Sequence, residues 1–381
     1  MNFLIFLYMA TLVLCLTSYF FYPVTILLYG KIAPIRIKKR EITPTISILI
    51  SAYNEEQDIK NKLENTFSLD YPKEKMEILV GSDGSQDNTA KIVRQFLGKG
   101  VSFFDYQVNR GKTAVQNDLV KQSTGEILVF TDAASFLPPH SLKVLVANFA
   151  DPRIGCVAGM LRFTGTEENL TTESQGIYWR YESKLRRIES RIGGLIGVDG
   201  PLYAVRRDKY VPLAPNIISD LITPLLVLGQ GSNVVLEPEA VVDEVPTIRT
   251  QQEFNTRRRI TLRGLIGLTA CSGLLNPLKH PFLSCQILFH KIIRWLVGPL
   301  VALNVIACLL LLPVPPFKQI LIMYCLFFFS AYAGWLLERK GRKIKILTIP
   351  YYFCLINAAA TMGILDFLRR KDATSWSPVR H

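Results

Sequence analysis

The sequence predicts an α/β domain, a parallel sheet with helices on both faces, flanked by hydrophobic helices at either end of the chain. Residues from about 44 to 245 alternate short β-rich apolar runs with longer helix-like stretches, the pattern of strands joined by crossover helices. Four runs carry no charged side chain: Met1 to Gly30, Trp295 to Phe317, Gln319 to Leu337 and Ile346 to Leu365. Each has about 20 residues or more, enough helix to cross a hydrocarbon layer of about 30 Å. Finally, every predicted strand of the first half runs into a polar turn. In open α/β sheets that edge binds ligands.

The first run, residues 1–30, lacks a basic leader and a small-residue cleavage site, so it reads as a retained anchor. Ile46–Ser51 is the first strand, followed by a helix over Asn54–Phe67 with Asn54 as its cap. Met76–Val80 is a strand, Asp87–Leu97 a helix, Val101–Tyr106 a strand, Lys112–Gln122 a helix and Glu126–Thr131 a strongly apolar strand. The α/β unit is expected over 44–250. Residues 253–291 read as amphipathic and interfacial elements, 295–368 as three membrane-spanning segments and 369–381 as a basic tail.

A net charge of +13, from 44 basic against 31 acidic residues, raises nucleic acid as a partner. The basic residues, however, flank the hydrophobic runs: Lys31, Arg36, Lys38, Lys39 and Arg40 after the first, and Arg339, Lys340, Arg342, Lys343 and Lys345 between the last two. Anionic lipid explains that placement. No zinc spacing or nucleic-acid motif accompanies the charge, so no nucleic acid is expected. The first cluster places the α/β domain in the cytoplasm, at the inner membrane. Three further crossings would leave the tail outside, yet the tail carries Arg369, Arg370, Lys371 and Arg380. The sequence leaves that conflict open. Seven cysteines are scattered without a paired motif and read as packing residues.

The turns carry the chemistry. They read Ala52, Tyr53, Asn54, Glu55, Glu56 after the first strand and Ser82, Asp83, Gly84, Ser85 with Asp87 after the second. Asn109, Arg110, Gly111 and Lys112 follow the third, and Asp132, Ala133, Ala134 the fourth. In order and spacing this series resembles family-2 glycosyltransferases, over about residues 44–265. Tyr178 to Glu182, Gly200 to Arg207, Glu253 to Ile260 and the tail from Trp376 to Arg380 are similar to the membrane-bound branch that includes polysaccharide synthases. The resemblance implies the GT-A fold, a Rossmann-like nucleotide-sugar domain. It also implies an inverting transfer from a nucleoside-diphosphate sugar, a UDP-sugar first among them, to a glycan or lipid-linked acceptor.

Roles follow position by position. Tyr53, Glu55 and Asp83 suit the base and ribose. Lys112, at a helix start beside Gly111, suits the diphosphate, because exposed amides and the helix dipole favour phosphate there. Asp132 stands where the family binds a divalent cation, Mg2+ or Mn2+, on the diphosphate. The usual Asp-x-Asp is broken by Ala134, so one carboxylate is missing. Asp220 matches the family's base, with a helix cap as its alternative reading. Arg259 matches the arginine of a Gln-x-x-Arg-Trp motif whose other places hold Thr256 and Ile260, which argues against long-chain polymerisation. Trp179, Tyr181 and Asp199 are expected near the acceptor. Ala134 also supports a second reading, a catalytically weak or silent scaffold subunit of a glycan synthase complex.

Overall fold

A computed structural model describes residues 1–163, 170–244, 250–342, 344–371 and 374. The tail motif from Trp376 to Arg380 lies outside them. Seven strands form one sheet: β1 (Ile46–Ala52), β2 (Met76–Asp83), β3 (Val101–Tyr106), β4 (Ile127–Asp132), β5 (Ile154–Phe163), β6 (Leu202–Arg206) and β7 (Asn233–Glu244). Their order is β3-β2-β1-β4-β6-β5-β7. The first four are mutually parallel, in register from Ile46 opposite Met76 and Ile127. β6 is inserted antiparallel between β4 and β5, and β5 pairs in parallel with β7. The sheet is therefore mixed. Strand–helix alternation made β1 to β4 legible, whereas β6 returns through a long connection with no such signal.

Every residue of β1 is buried, as a strand covered on both faces must be. Ile46, Ile48 and Ile50 face one apolar core with Ile59, Leu63 and Val129. Leu49 faces the other, with Leu79, Val115, Leu128 and Phe130. The period of two thus splits the core into two layers.

The helices of the domain are α2 (Ile59–Phe67), α3 (Thr89–Arg94), α4 (Lys112–Gln122), α5 (Ser141–Ala147), α6 (Leu170–Arg191), α7 (Ser219–Gly229) and α8 (Thr250–Ala270), with α1 (Asn2–Ile32) preceding them. Asn54 does not cap α2, which starts five residues later. Its backbone is left-handed, φ 55°, because its side chain is taken by the neighbouring loop: Asn54 Oδ1 accepts from Gln86 N at 2.8 Å and Asn54 N donates to Ser85 Oγ at 3.0 Å. Loop-to-loop bonding outcompetes the cap here.

Three more helices follow, α9 (Pro281–Leu310), α10 (Phe317–Arg339) and α11 (Lys345–Leu368). With α1 they are long and apolar enough to cross a membrane. The stretch expected as a separate interfacial segment up to Lys291 is instead the first part of α9. Its Leu283 and Ile287 pack beneath the α/β domain with Ile196, Ile217 and Ile222. Lys291 and Arg294 do not interrupt the helix, since they face buried acids of α6 rather than lipid. At the far end of α9, Ala307 and Cys308 pack on Tyr8 of α1 and on Phe317 of α10.

Candidate functional site

The polar strand ends converge on a cavity of about 670 Å³, the size of a small-ligand pocket. Its walls come from Ser51, Asn54 to Asp58, Lys112, Asp132, Asp199, Asp220, Glu244 and Arg259, and it continues to Tyr19, Trp179, Lys291, Arg294 and Asn357. One end therefore belongs to the sheet and the other to the long helices.

At the sheet end the loops are tied to one another. Asp87 accepts from Thr89 N at 3.0 Å and Glu56 N at 3.1 Å, and Glu56 in turn accepts from Asn88 N at 3.0 Å. Asp83 is fully buried. Its two oxygens accept from Arg110 N at 2.9 Å and Gly111 N at 2.8 Å. It anchors the 109–112 loop from just outside the cavity's lining. Gly111 has φ 92°, which favours glycine and starts α4 at Lys112. Tyr53 stands half-buried beside the cavity and outside its lining. Glu55 lines it, with its carboxyl pushed up to about 8 by burial and then by Asp132, Asp58 and Asp87.

The centre is built around Gly200. A Cβ placed on it would lie 3.3 Å from Asp220 Oδ2, 3.4 Å from Lys112 Nζ and 3.9 Å from Asp132 Oδ2. Those three groups therefore face one small volume. Lys112 Nζ is bonded to Asp132. Asp220 occupies the second position of α7, whose cap is Ile218. The capping reading of Asp220 is thereby set aside: among the described residues its carboxylate has no hydrogen-bond donor, and it lines the cavity. Burial raises its pKa, against the opposing pull of Lys112 and Arg263. Arg259 lines the same space; burial lowers its pKa, with Asp220 and Asp132 as the acids that resist the shift.

Two groups were not legible in the sequence. Glu244 ends β7, and the 132–136 turn is held to it by a bridge in which Phe136 N donates to Asp243 O at 3.2 Å and Asp243 N to Phe136 O at 2.9 Å. Glu244 thus lines the cavity beside Asp132, and burial and Asp132 push its carboxyl up to about 8. Only this long-range pairing reveals it. Lys62 enters from α2 beneath the same turn, fully buried, with Nζ donating to Thr131 Oγ1 at 2.7 Å and Ser135 O at 2.5 Å.

Burial lowers the Lys62 ammonium to about 7, opposed by Asp132. Unfolded lysine titrates near 10.4, so between about pH 7 and pH 10 the unfolded chain binds the extra proton. Stability should then rise with pH across that window. Thermal unfolding in detergent at pH 7 and pH 9.5, without added metal, tests this. Lys62→Met is expected to flatten the rise, and an unchanged slope in the variant would refute it.

A divalent cation would find Asp132 and Glu244 as carboxylates here. Among the described residues no three His, Cys, Asp or Glu side chains form a ready cation site. The donor set fits a hard cation only if a diphosphate and water complete it.

At the helix end, Trp179 lines the cavity and stacks under Arg186 at 5.7 Å. Asp199 lines it too, paired with Arg186. Tyr181 does not reach it. Its hydroxyl donates to Tyr19 O at 3.1 Å and accepts from Arg294 at 3.0 Å, so it ties α6 to α1 and α9 from outside the cavity's lining. Below lies a buried polar network. Glu182 accepts from Arg294 Nη1 at 2.8 Å, and its other oxygen is 2.9 Å from His290 Nε2. His290 Nδ1 is 2.6 Å from Glu189, which also accepts from Tyr22.

Comparison with known proteins follows the same outline. Residues 47–211 match the family model described as Glycosyl transferase family 2. The poly-beta-1,6-N-acetyl-D-glucosamine synthase of Staphylococcus epidermidis is 30% identical over 157 residues, covering 41% of this chain and 38% of that protein. Its counterpart from Staphylococcus aureus strain COL is 34% identical over 116 residues, 30% of this chain and 28% of that one. The chain thus spans less than half the length of these curated relatives. Among solved structures, a mannosyltransferase from Pyrobaculum calidifontis in complex with GDP-Man and Mn2+ superposes with a TM-score of 0.70 at 20% identity, covering 96% of this chain and 100% of that one. At that identity the likeness shows the fold, the GT-A arrangement that the strand-end motifs implied.

Proposed function

From the premise that residues 47–211 are a glycosyl transferase family 2 domain, we propose that this protein is an inverting glycosyltransferase held at a membrane. It moves a sugar from a nucleoside-diphosphate sugar to a glycan or lipid-linked acceptor. The observation that carries this reading is the convergence of Lys112, Asp132 and Asp220 on Gly200. That proximity supports a reading with a cationic diphosphate contact and a general base within a few ångströms of one another.

Lys112 and Arg259 bind the diphosphate and spread the charge that develops as the sugar–phosphate bond breaks. Asp220 takes the proton of the acceptor hydroxyl as that oxygen attacks the anomeric carbon from the face opposite the leaving group. Its raised pKa, and the lack of a hydrogen-bond donor to its carboxylate among the described residues, suit a base that must hold a proton after transfer. Glu55, with Asp87 fixing its loop, borders the donor's nucleoside end. Trp179 and Asp199 border the acceptor. A divalent cation held by Asp132 and Glu244 would supply further charge neutralisation at the diphosphate. The basic flank of α1 favours a cytoplasmic face for the domain, where nucleotide sugars are made. Synthesis of an extracellular polysaccharide or a glycolipid is the process this chemistry would serve.

The experiment is a screen of purified protein against a panel of sugar nucleotides, with released nucleoside diphosphate as readout. Turnover with one donor supports the reading. No release with any donor, with and without Mn2+, would favour the scaffold subunit that Ala134 suggests. The size of the product separates single transfer from polymerisation.

Glu244 gives a separate prediction. Glu244→Gln should weaken Mn2+ binding in the presence of nucleoside diphosphate at least about tenfold, since it removes a direct donor where even outer partners are worth that much. Titration followed by Mn2+ paramagnetic resonance measures it, and an unchanged affinity would exclude Glu244 from the cation site.

A further inference from the structure

We propose that α11 does not cross the bilayer but lies in the headgroup layer of the leaflet that adjoins the α/β domain. The chain would then cross three times, and Arg369 to Lys371 and Thr374 would lie on the domain side.

A crossing helix separates its ends by about 30 Å. α9 does this. Its start is buried beneath the domain with Ile196 and Ile222, while its end meets Tyr8 of α1 and Phe317 of α10. α10 then returns, and its Glu338 accepts from Thr250 Oγ1, the first residue of α8, at 3.5 Å. α8 is fastened to the domain: Arg263 donates to Pro215 O at 2.9 Å, Ile217 O at 2.7 Å and Thr113 Oγ1 at 3.1 Å.

Both halves of α11 rest on α8. Tyr351 Oη is 3.0 Å from Thr250 Oγ1, and Tyr352 Oη donates to Glu253 at 2.5 Å. Near the other end, Asp366 accepts from Arg258 through Nε at 2.5 Å and Nη2 at 2.7 Å. A Cβ on Gly363 would stand 2.6 Å from Arg258 O. Thr250 and Arg258 are only about 12 Å apart along α8. Beyond α11, the carbonyl of Thr374 lies 2.5 Å from where a Cβ on Gly111 would be, at the start of α4. No route across a membrane joins those contacts.

Charge agrees. Arg339, Lys340, Arg342 and Lys345 precede the body of α11, and Arg369, Arg370 and Lys371 follow it. Four crossings would put these two groups on opposite faces. Three crossings put both, with Lys31 to Arg40, on one face, which is the usual bias. The outward side of α11 exposes Ile346, Ile349 and Leu368, while Thr348 and Asp366, half a turn away, are buried toward protein. Apolar residues outward between basic ends are what an anionic leaflet surface accommodates.

Sealed vesicles of defined sidedness containing the full chain test this. Single cysteines replace Lys99 in the domain, Pro315 between α9 and α10, and Arg370 after α11. Each is treated with a membrane-impermeant maleimide and read by peptide mass spectrometry. Arg370→Cys should be labelled in the vesicles that expose Lys99→Cys and protected in those that expose Pro315→Cys. Labelling alongside Pro315→Cys would overturn the proposal. Trypsin added to the unmodified chain gives an independent result. Cleavage at Arg369 to Lys371 from the domain side supports the proposal, and cleavage from the opposite side alone refutes it.

Discussion

Asp220→Asn is expected to lower the rate of sugar transfer by about 10²–10⁴-fold, the range for removal of a positioned general base. The change keeps size and shape, and Asp220 accepts no hydrogen bond among the described residues that the amide would break. Binding of the nucleotide sugar should therefore persist. Single-turnover release of nucleoside diphosphate reads the chemical step, and calorimetry with the donor reads binding. Transfer at the original rate would remove Asp220 from the base role and leave the acid without a function. A loss of donor binding equal to the loss of rate would instead make it a donor contact.

The second large effect concerns stability. Glu182 is buried, and burial alone would raise its carboxyl, yet His290 and Arg294 hold it well below the ordinary carboxylate range. Glu182→Leu leaves the Arg294 guanidinium without its paired carboxylate and His290 Nε2 without its partner, and should cost about 3–5 kcal/mol, the penalty for orphaning a buried charge. Glu182→Leu combined with Arg294→Met should recover most of that loss, because an apolar pair of similar volume needs no partner. Thermal unfolding in one detergent, compared across the single and double variants, decides it. Equal stability of Glu182→Leu and the unaltered chain would mean that the pair is dispensable. The sign of the pH effect follows as well. A carboxyl held below its unfolded value contributes stability at neutral pH, and that contribution fades as acid carries the pH below about 4.

Much of the donor end was legible in the sequence because its signals are local. Asn109 to Lys112 and Asp132 each follow a strand whose apolar run ends within a residue or two, so position on the sheet edge could be inferred from order alone. Asp220 was reachable through motif spacing, though not its freedom from a capping bond. What stayed hidden depends on contacts between distant segments. Glu244 meets Asp132 only because β7 bridges to the 132–136 turn, and Lys62 reads as one more polar residue of an amphipathic helix. Asn54 was misjudged because a local rule for caps cannot register a competing loop thirty residues on. Tyr181 is expected near the acceptor from its motif alone, and the motif could not register that Arg294, from a helix more than a hundred residues later, claims its hydroxyl. Hydropathy ranks α11 with α10 as long and apolar enough to cross a membrane, and neither length nor composition records where a helix's ends are fastened.

The shared walls of the cavity have a practical meaning for anyone wishing to isolate the catalytic unit. A soluble fragment cut after β7 would keep Lys112, Asp132 and Asp220 but lose Arg259 on α8, Lys291 and Arg294 on α9 and Asn357 on α11. It would also expose the apolar underside formed by Ile196, Ile217 and Ile222, which Leu283 and Ile287 now cover. Such a fragment would be half a vessel with a sticky rim. Useful truncations will instead trim the far loop between α9 and α10, and screening for inhibitors should begin from the whole chain in lipid or detergent.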